Sequence, residues 1–236
     1  MPCRAAGRIP QGAKSVVIFA FPYLLPAEKY EGLNISRYAV PRDYHEVAGD
    51  ILENAVLSLS EKYPDEKFEA FIDNSPVPEV YTACLAGIGV KGENSLFITE
   101  KYGSFVFLGE IITTAFLEPT GSEPGHCLKC GRCISACPNG AIKDGKIDTG
   151  LCLSHITQKK GELSEKEKEL IKNTGCVWGC DICQSVCPMN KNADITEIPE
   201  FLSSAVSRVT EETSLENRAF AWRGEKVIKR NLKTVE

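Results

Sequence analysis

Long hydrophobic runs are missing from this chain of 236 residues. No stretch approaches the ~20 apolar residues that cross a bilayer, so a membrane-embedded protein is not expected. The amino terminus also lacks a targeting segment, which argues against a secreted domain held by disulfides and for a cytoplasmic home. An excess of one charge is missing too. Lys and Arg total 27 against 32 Asp and Glu, a net charge of −5, so the surface as a whole does not suit a polyanion. The exception is the stretch from Arg218 to Glu236, with six basic residues against two acidic ones. It reads first as a solvated helix face and second as a contact for nucleic acid. Histidine is scarce. His45 and His155 read as structural, and His126 as a surface residue next to a cysteine rather than a ligand.

Cysteine is abundant. Nine of the eleven cysteines fall between Cys127 and Cys187, opening with Cys127-x2-Cys130-x2-Cys133-x3-Cys137-Pro138. This is the spacing of two-cluster bacterial ferredoxins, in which soft thiolates hold iron and the fourth cysteine crosses to the other cluster. A second run, Cys176-x3-Cys180-x2-Cys183-x3-Cys187-Pro188, answers it. Zinc suits paired Cys-x2-Cys motifs but not two Cys-x3-Cys-Pro endings. Two 4Fe–4S clusters are therefore expected. Seven ligands are evident. Cys152 and Cys176 compete for the eighth place, and spacing leaves that choice open.

The fold is expected to be α+β: an amino-terminal α/β sandwich-like domain over residues 1–118, a ferredoxin-like two-cluster domain over 119–192, and a short helical tail over 193–236. Ser15–Ala20 and Phe68–Ile72 read as strands, and the apolar spacing from Asp43 to Leu59 as a long amphipathic helix. Pro78–Ala86 reads as a second helix. Asn94–Thr99 and Ser104–Phe116 read as strands joined by a turn at Lys101-Tyr102-Gly103. Glu118–Gly125 has linker composition. Ser164-x-x-Glu167 has capping-box form and starts a charged helix, Glu165–Lys172, taken as a surface insertion.

Gly87-x-Gly89-x-x-Gly92 matches the letters of a dinucleotide fingerprint, with Glu110 downstream. It follows a helix and leads into a strand, the reverse of what that site requires. Tight packing of backbone is the reading that remains. Asp73 opens Asp-Asn-Ser-Pro, a good turn whose carboxylate is expected to bond backbone amides. At a strand end beside a glycine loop it is also a proton donor if burial raises its pKa.

The order of several segments resembles the epoxyqueuosine reductases. These are Ser36-Arg37-Tyr38-Ala39-Val40-Pro41-Arg42-Asp43-Tyr44-His45, Ile72-Asp73-Asn74-Ser75-Pro76-Val77, Ala86–Leu96, Tyr102–Glu110, the first cysteine run, and Gly179-Cys180-Asp181-Ile182-Cys183-Gln184 through Asn190. The resemblance implies a cobalamin enzyme related to the reductive dehalogenases, whose first domain binds the corrinoid and whose clusters feed it electrons. The reduced cobalt then removes an epoxide oxygen from a modified tRNA base. Asp73 matches the family's proton donor, and Gly87, Gly89, Gly92 and Asn94 become cofactor-contact candidates. On the same basis Cys127, Cys130, Cys133 and Cys187 hold one cluster and Cys137, Cys152, Cys180 and Cys183 the other. Cys3, Cys84 and Cys176 are then spare.

The sequence departs from the family pattern at Val90, Lys91, Glu93 and Met189. It also stops where full-length members continue into helical repeats. Implied partners are an electron donor such as a ferredoxin or flavodoxin, and a tRNA substrate. The competing reading is a ferredoxin-like electron carrier or redox subunit without cobalamin.

Overall fold

The computed structural model describes residues 8–121 and 125–236, so Cys3 lies outside the described residues. β1 (Ser15–Pro22) leads through two single-turn helices to α1 (Tyr44–Lys62), β2 (Phe68–Ile72) and α2 (Glu79–Leu85). A small hairpin, β3 (Val90–Lys91) with β4 (Phe97–Ile98), precedes β5 (Val106–Thr113). β5 is the centre of a three-stranded antiparallel sheet, flanked by β1 and β2.

Successive β5 side chains face opposite ways, which gives the sheet two apolar faces. On one, Phe21 and Ile111 pack with Ala48 and Leu52 of α1. A β-carbon at Gly109 would stand 2.9 Å from a Leu52 methyl, so the missing side chain is what lets α1 lie close. On the other face Ile18 packs with Ala83 of α2 and Phe97 of β4. Asp43 caps α1 by accepting the His45 amide.

One strand expectation is corrected. The segment Asn94–Thr99 shortens to Phe97–Ile98 and pairs back onto Val90–Lys91 rather than forward onto β5. Ser95 has a left-handed backbone (φ 61°), which ends any extended run there, and only a single bridge, Thr99 to Gly103, closes the next turn.

The cysteine-rich part is built from short elements: α3 (Arg132–Ala136), the hairpin β6 (Ile142–Lys143) and β7 (Lys146–Ile147), α4 (Leu153–Gln158), α5 (Glu165–Thr174) and α6 (Ile182–Ser185). The capping box at Ser164 and Glu167 is present, and Gly175 closes α5 in the left-handed conformation. α5 is not a surface insertion. Its Ile171 is fully buried among Leu153, Ile156 and Leu163.

α7 (Pro199–Ser203) and α8 (Glu225–Val235) are separated by an irregular stretch that holds one 3-10 turn. This last part of the chain, expected to be polar and helical, instead fills the largest core. Phe201 and Phe220, both 0% exposed, join Trp178 and Phe105 there, with Ile228 and Leu232 from α8. Burying an aromatic or aliphatic side chain of this size stabilises by about 1.5–3 kcal/mol each. No described helix is long and apolar enough to cross a membrane.

Candidate functional site

The segments recognised in the sequence meet in space. Ser36 donates its hydroxyl to Asp181, whose carboxylate also takes the Arg37 amide at 2.6 Å. Tyr38 accepts from Trp178 Nε1 at 2.8 Å, and the Ser36 amide bonds the Trp178 carbonyl at 2.7 Å. Gly179 is obligatory here, since a β-carbon would lie 2.4 Å from that of Ser36, and its φ of +72° suits glycine. A second seam joins β5's approach to the last cysteine. Asn190 Oδ1 accepts the Ser104 amide at 2.8 Å, and Gln184 donates to the Ser104 carbonyl at 2.9 Å. These polar seams fix the cysteine-rich part against the sheet.

Cys127, Cys130, Cys133 and Cys187 surround one small cavity, together with Asn94 and Met189. Cys137, Cys152 and Cys183 lie close enough to Cys180 or to one another to couple electrostatically. All ten described cysteines are free thiols. Burial pushes Cys180 up to about 11 and Cys183 up to about 12, so thiolates there need a cationic partner, which iron supplies. Two donors already face these sulfurs. The Ala141 amide bonds Cys137 Sγ at 3.2 Å. Asn94, 2% exposed, leaves Nδ2 without a conventional partner yet beside Cys183, where it favours the thiolate. Cys176 behaves differently. Its thiol donates to the Gly179 carbonyl at 2.9 Å, and burial holds it protonated, up to about 12.

A cleft of about 740 Å³ separates the hairpin region Val90–Ser95 from the chain entering the first quartet. Pro78, Val80, Tyr81 and Val90 give it apolar walls, while Glu79, Lys91, Glu93 and Lys129 give it polar ones. His126 and Cys127 line it, so the nearer quartet borders the cleft directly, and Cys84 lies in its wall. A flat macrocycle with amide arms suits apolar walls with scattered hydrogen-bonding groups. The glycines themselves face elsewhere. A β-carbon at Gly89 would stand 2.4 Å from the Ile98 carbonyl, and one at Gly92 would stand 2.5 Å from Asn94 Oδ1. Tight packing explains both.

Asp73 occupies the turn after β2, with left-handed backbone at Asp73 (φ 50°) and Asn74 (φ 43°). Its carboxylate does not bond backbone amides. Tyr44 donates its hydroxyl to Oδ2, and His45 Nε2 lies 2.9 Å from the same oxygen. Burial pushes Asp73 up, but the bonds from His45 and Tyr44 outweigh it, and the carboxyl sits below its usual range. The condition of a raised Asp73 is thus unmet. Burial does raise two neighbouring carboxyls: Glu79, to about 7, helped by Glu110 and Asp73, and Glu110, helped by Asp73. Glu79 lies near the Asp73 backbone, which offsets part of the rise, and it lines the cleft with its buried Oε1 unpartnered, so the turn adjoins the cleft wall. Glu110, 0% exposed, accepts from Ser75 and pins the same turn to the central strand.

Three residues of this constellation were given no site role from the sequence: His45 read as structural, and Tyr44 and Glu79 as parts of helices. Tyr44 and His45 presented themselves as the first turn of a helix, with nothing local to tie them to Asp73.

Comparison with known proteins decides the family. A family model for the 4Fe-4S double cluster binding domain matches residues 126–190, and one for Epoxyqueuosine reductase QueG, DUF1730, matches residues 6–74. The epoxyqueuosine reductase of Cyclobacterium marinum is 37% identical over 218 residues, covering 87% of this chain and 70% of that protein. The chain belongs to the epoxyqueuosine reductase family. Among solved epoxyqueuosine reductases, one bound to an epoxyqueuosine-modified tRNA-Tyr stem loop superposes with a TM-score of 0.81 at 29% identity, over 95% of this chain and 64% of that one. Another, from Bacillus subtilis with its aspartate catalytic loop swung out of the active site, gives 0.79 at 29% identity, over 93% and 63%. The chain spans from about half to 70% of the length of the curated relatives it matches. Family membership and a 4Fe–4S module thus favour the reductase-family reading over the carrier-only alternative.

Proposed function

We propose that this chain is a cluster-driven epoxide reductase acting on epoxyqueuosine in tRNA. The observation that carries the proposal is the cleft of about 740 Å³ with Cys127 in one wall and Glu79, beneath the Asp73 turn, in another. Cys127, Cys130, Cys133 and Cys187 hold the cluster nearer the cleft, and Cys137, Cys152, Cys180 and Cys183 the second. Cys176 stays a neutral thiol bonded to backbone. The two Cys-x3-Cys-Pro endings favour multi-iron clusters over zinc.

The cleft suits a cobalamin. Apolar contact comes from Val80, Tyr81 and Val90, and amide-arm contacts from Lys91, Glu93 and Lys129. A bound corrinoid supplies low-potential two-electron chemistry, and the protein supplies position and protons. Asp73, ionised at rest, passes a proton to the departing oxygen, with Tyr44 and His45 both bonded to its Oδ2. Arg132 and Lys191 border a larger cleft of about 1110 Å³ beside Cys130 and Cys187. With no carboxylate in its lining, it suits an acidic electron donor. The tRNA assignment draws support from the relative crystallised with its stem loop. Cytoplasmic residence follows from the substrate.

The test is anaerobic reconstitution with iron and sulfide, then addition of cobalamin and an epoxyqueuosine-bearing stem loop. The expected results are a shifted cobalamin absorbance and a product lighter by one oxygen. Reversible cluster reduction with no cobalamin uptake would overturn the reductase reading in favour of an electron carrier.

A further inference from the structure

We infer that His45, held by Asp43, is the positioning residue that returns protons to Asp73 during turnover. The inference rests on the reductase reading above and starts from its stoichiometry. Removing an epoxide oxygen as water breaks two carbon–oxygen bonds and consumes two electrons and two protons. Asp73 carries one proton at a time. A second must reach it before the cycle closes.

The geometry supplies a route. His45 Nδ1 lies 2.7 Å from Asp43 Oδ1, and Nε2 lies 2.9 Å from Asp73 Oδ2. Asp43 is the cap of α1 and also accepts the His45 amide at 3.0 Å, so its carboxylate cannot drift from the ring. The Tyr44 ring stacks on His45 at 4.1 Å between centroids and on Phe107 at 3.9 Å, which fixes the imidazole plane. The His45 side chain is 42% exposed, so bulk water reaches the ring. The Asp73 side chain is itself 50% exposed, so the line from solvent through imidazole is the route that stays open once substrate covers the carboxylate.

Each transfer balances. The Nε2–H bond breaks as an Oδ2–H bond forms on Asp73, leaving neutral imidazole and a neutral carboxyl. The carboxyl then releases its proton to the substrate oxygen, and water reprotonates His45. Asp43 keeps Nδ1–H bonded throughout, so only Nε2 exchanges. The charged and titratable groups around the ring are Asp43 and Tyr44 on its own segment and Asp73 on the facing turn. The neighbouring Arg42 is engaged with Glu46 at 3.0 Å, and Arg8 bonds the Asn74 carbonyl. Neither cation competes for the Asp73 carboxylate.

The experiment compares His45→Gln with the parent chain, both loaded with clusters and cobalamin, in multiple-turnover reduction of the stem loop across pH. The variant is expected to slow at least about tenfold near neutrality, the low end of what a positioned proton donor contributes. Its rate should fall in proportion to proton concentration above about pH 6, where the parent stays level, because His45 remains charged there. Added imidazole should restore much of the loss, which no change in packing would produce. A variant with the parent rate and pH profile, or a slowed variant deaf to imidazole, overturns the inference. Asp73→Asn separates the two levels. If it is inactive while His45→Gln is normal, only the proton route fails. If it is fully active, Asp73 is not the donor and the relay fails with it, whereas a parent chain without turnover is the failure of the reductase reading itself.

Discussion

Asn231 offers a direct measure of whether the end of the chain is an appendage or part of the structure. It is 0% exposed on α8, and its Nδ2 donates to the Thr157 carbonyl at 2.7 Å and the Val177 carbonyl at 2.8 Å. Alanine at this position leaves the Val177 carbonyl unmet and the Thr157 carbonyl with only Arg230, at 3.5 Å, a loss of about 1–1.5 kcal/mol for each bond, or about 2–3 kcal/mol together. For a chain of this size that lowers the melting temperature by about 4–12 °C. Asn231→Asp turns a negative charge toward the same two carbonyls and is expected to be worse by at least about 2 kcal/mol. Lys226→Ala, on the exposed face of the same helix, should stay within about 0.5 kcal/mol. The assay is anaerobic thermal melting of the cluster-loaded protein with iron counted per chain. Thr157 shares α4 with the approach to Cys152, and Val177 lies just before Cys180, so iron of the second quartet should be lost first. If Asn231→Ala melts within about 1 °C of the parent, or Asn231→Asp proves no worse than alanine, the clamp reasoning is wrong.

Three other outcomes are expected. Cys152→Ser should hold about half the iron of the parent, while Cys176→Ser, which loses only a thiol bonded to the Gly179 carbonyl, should load fully; full loading of Cys152→Ser with half loading of Cys176→Ser would reverse the choice of eighth ligand. Gly89→Ala should cost about 1–3 kcal/mol in melting experiments by forcing its new methyl onto the Ile98 carbonyl, 2.4 Å away, and an unchanged melt would show that the hairpin yields. Two groups set opposite partners but the same pH trend. The bonds to Asp43 and Asp73 raise His45 from 6.5 to about 10, so its stabilising charge is fully present below about pH 6.5 and lost through about pH 10. Burial raises Glu79 from 4.5 to about 7, so its neutral form stabilises below about pH 4.5 and that gain is lost through about pH 7. Melting against pH should flatten between about 4.5 and 7 in Glu79→Gln and between about 6.5 and 10 in His45→Gln.

Much of the secondary structure could be read before any coordinates. β1, α1, β2, α2 and the capped α5 lie where period and capping residues put them, since each depends on neighbours within a turn or a strand. The glycine run is preceded by α2 and followed by β3, the helix-then-strand order expected of it for the same local reason. Phe97–Ile98 was assigned the wrong strand partner because a short apolar run does not say which strand it meets, and left-handed backbone at Ser95 is invisible in composition. The terminal segment looked polar because its apolar residues are spread over irregular chain with no period to reveal them.

By itself, the sequence determined the cluster chemistry and the local elements, because ligand spacing and helical period are short-range properties of the chain. Tertiary structure alone decided that His45 and Tyr44 meet Asp73, that Glu79 and Glu110 rather than Asp73 are the raised carboxyls, and that the chain's last helix closes the core. Those contacts join residues dozens of positions apart, and a pKa or a buried partner is set by whatever folding brings alongside.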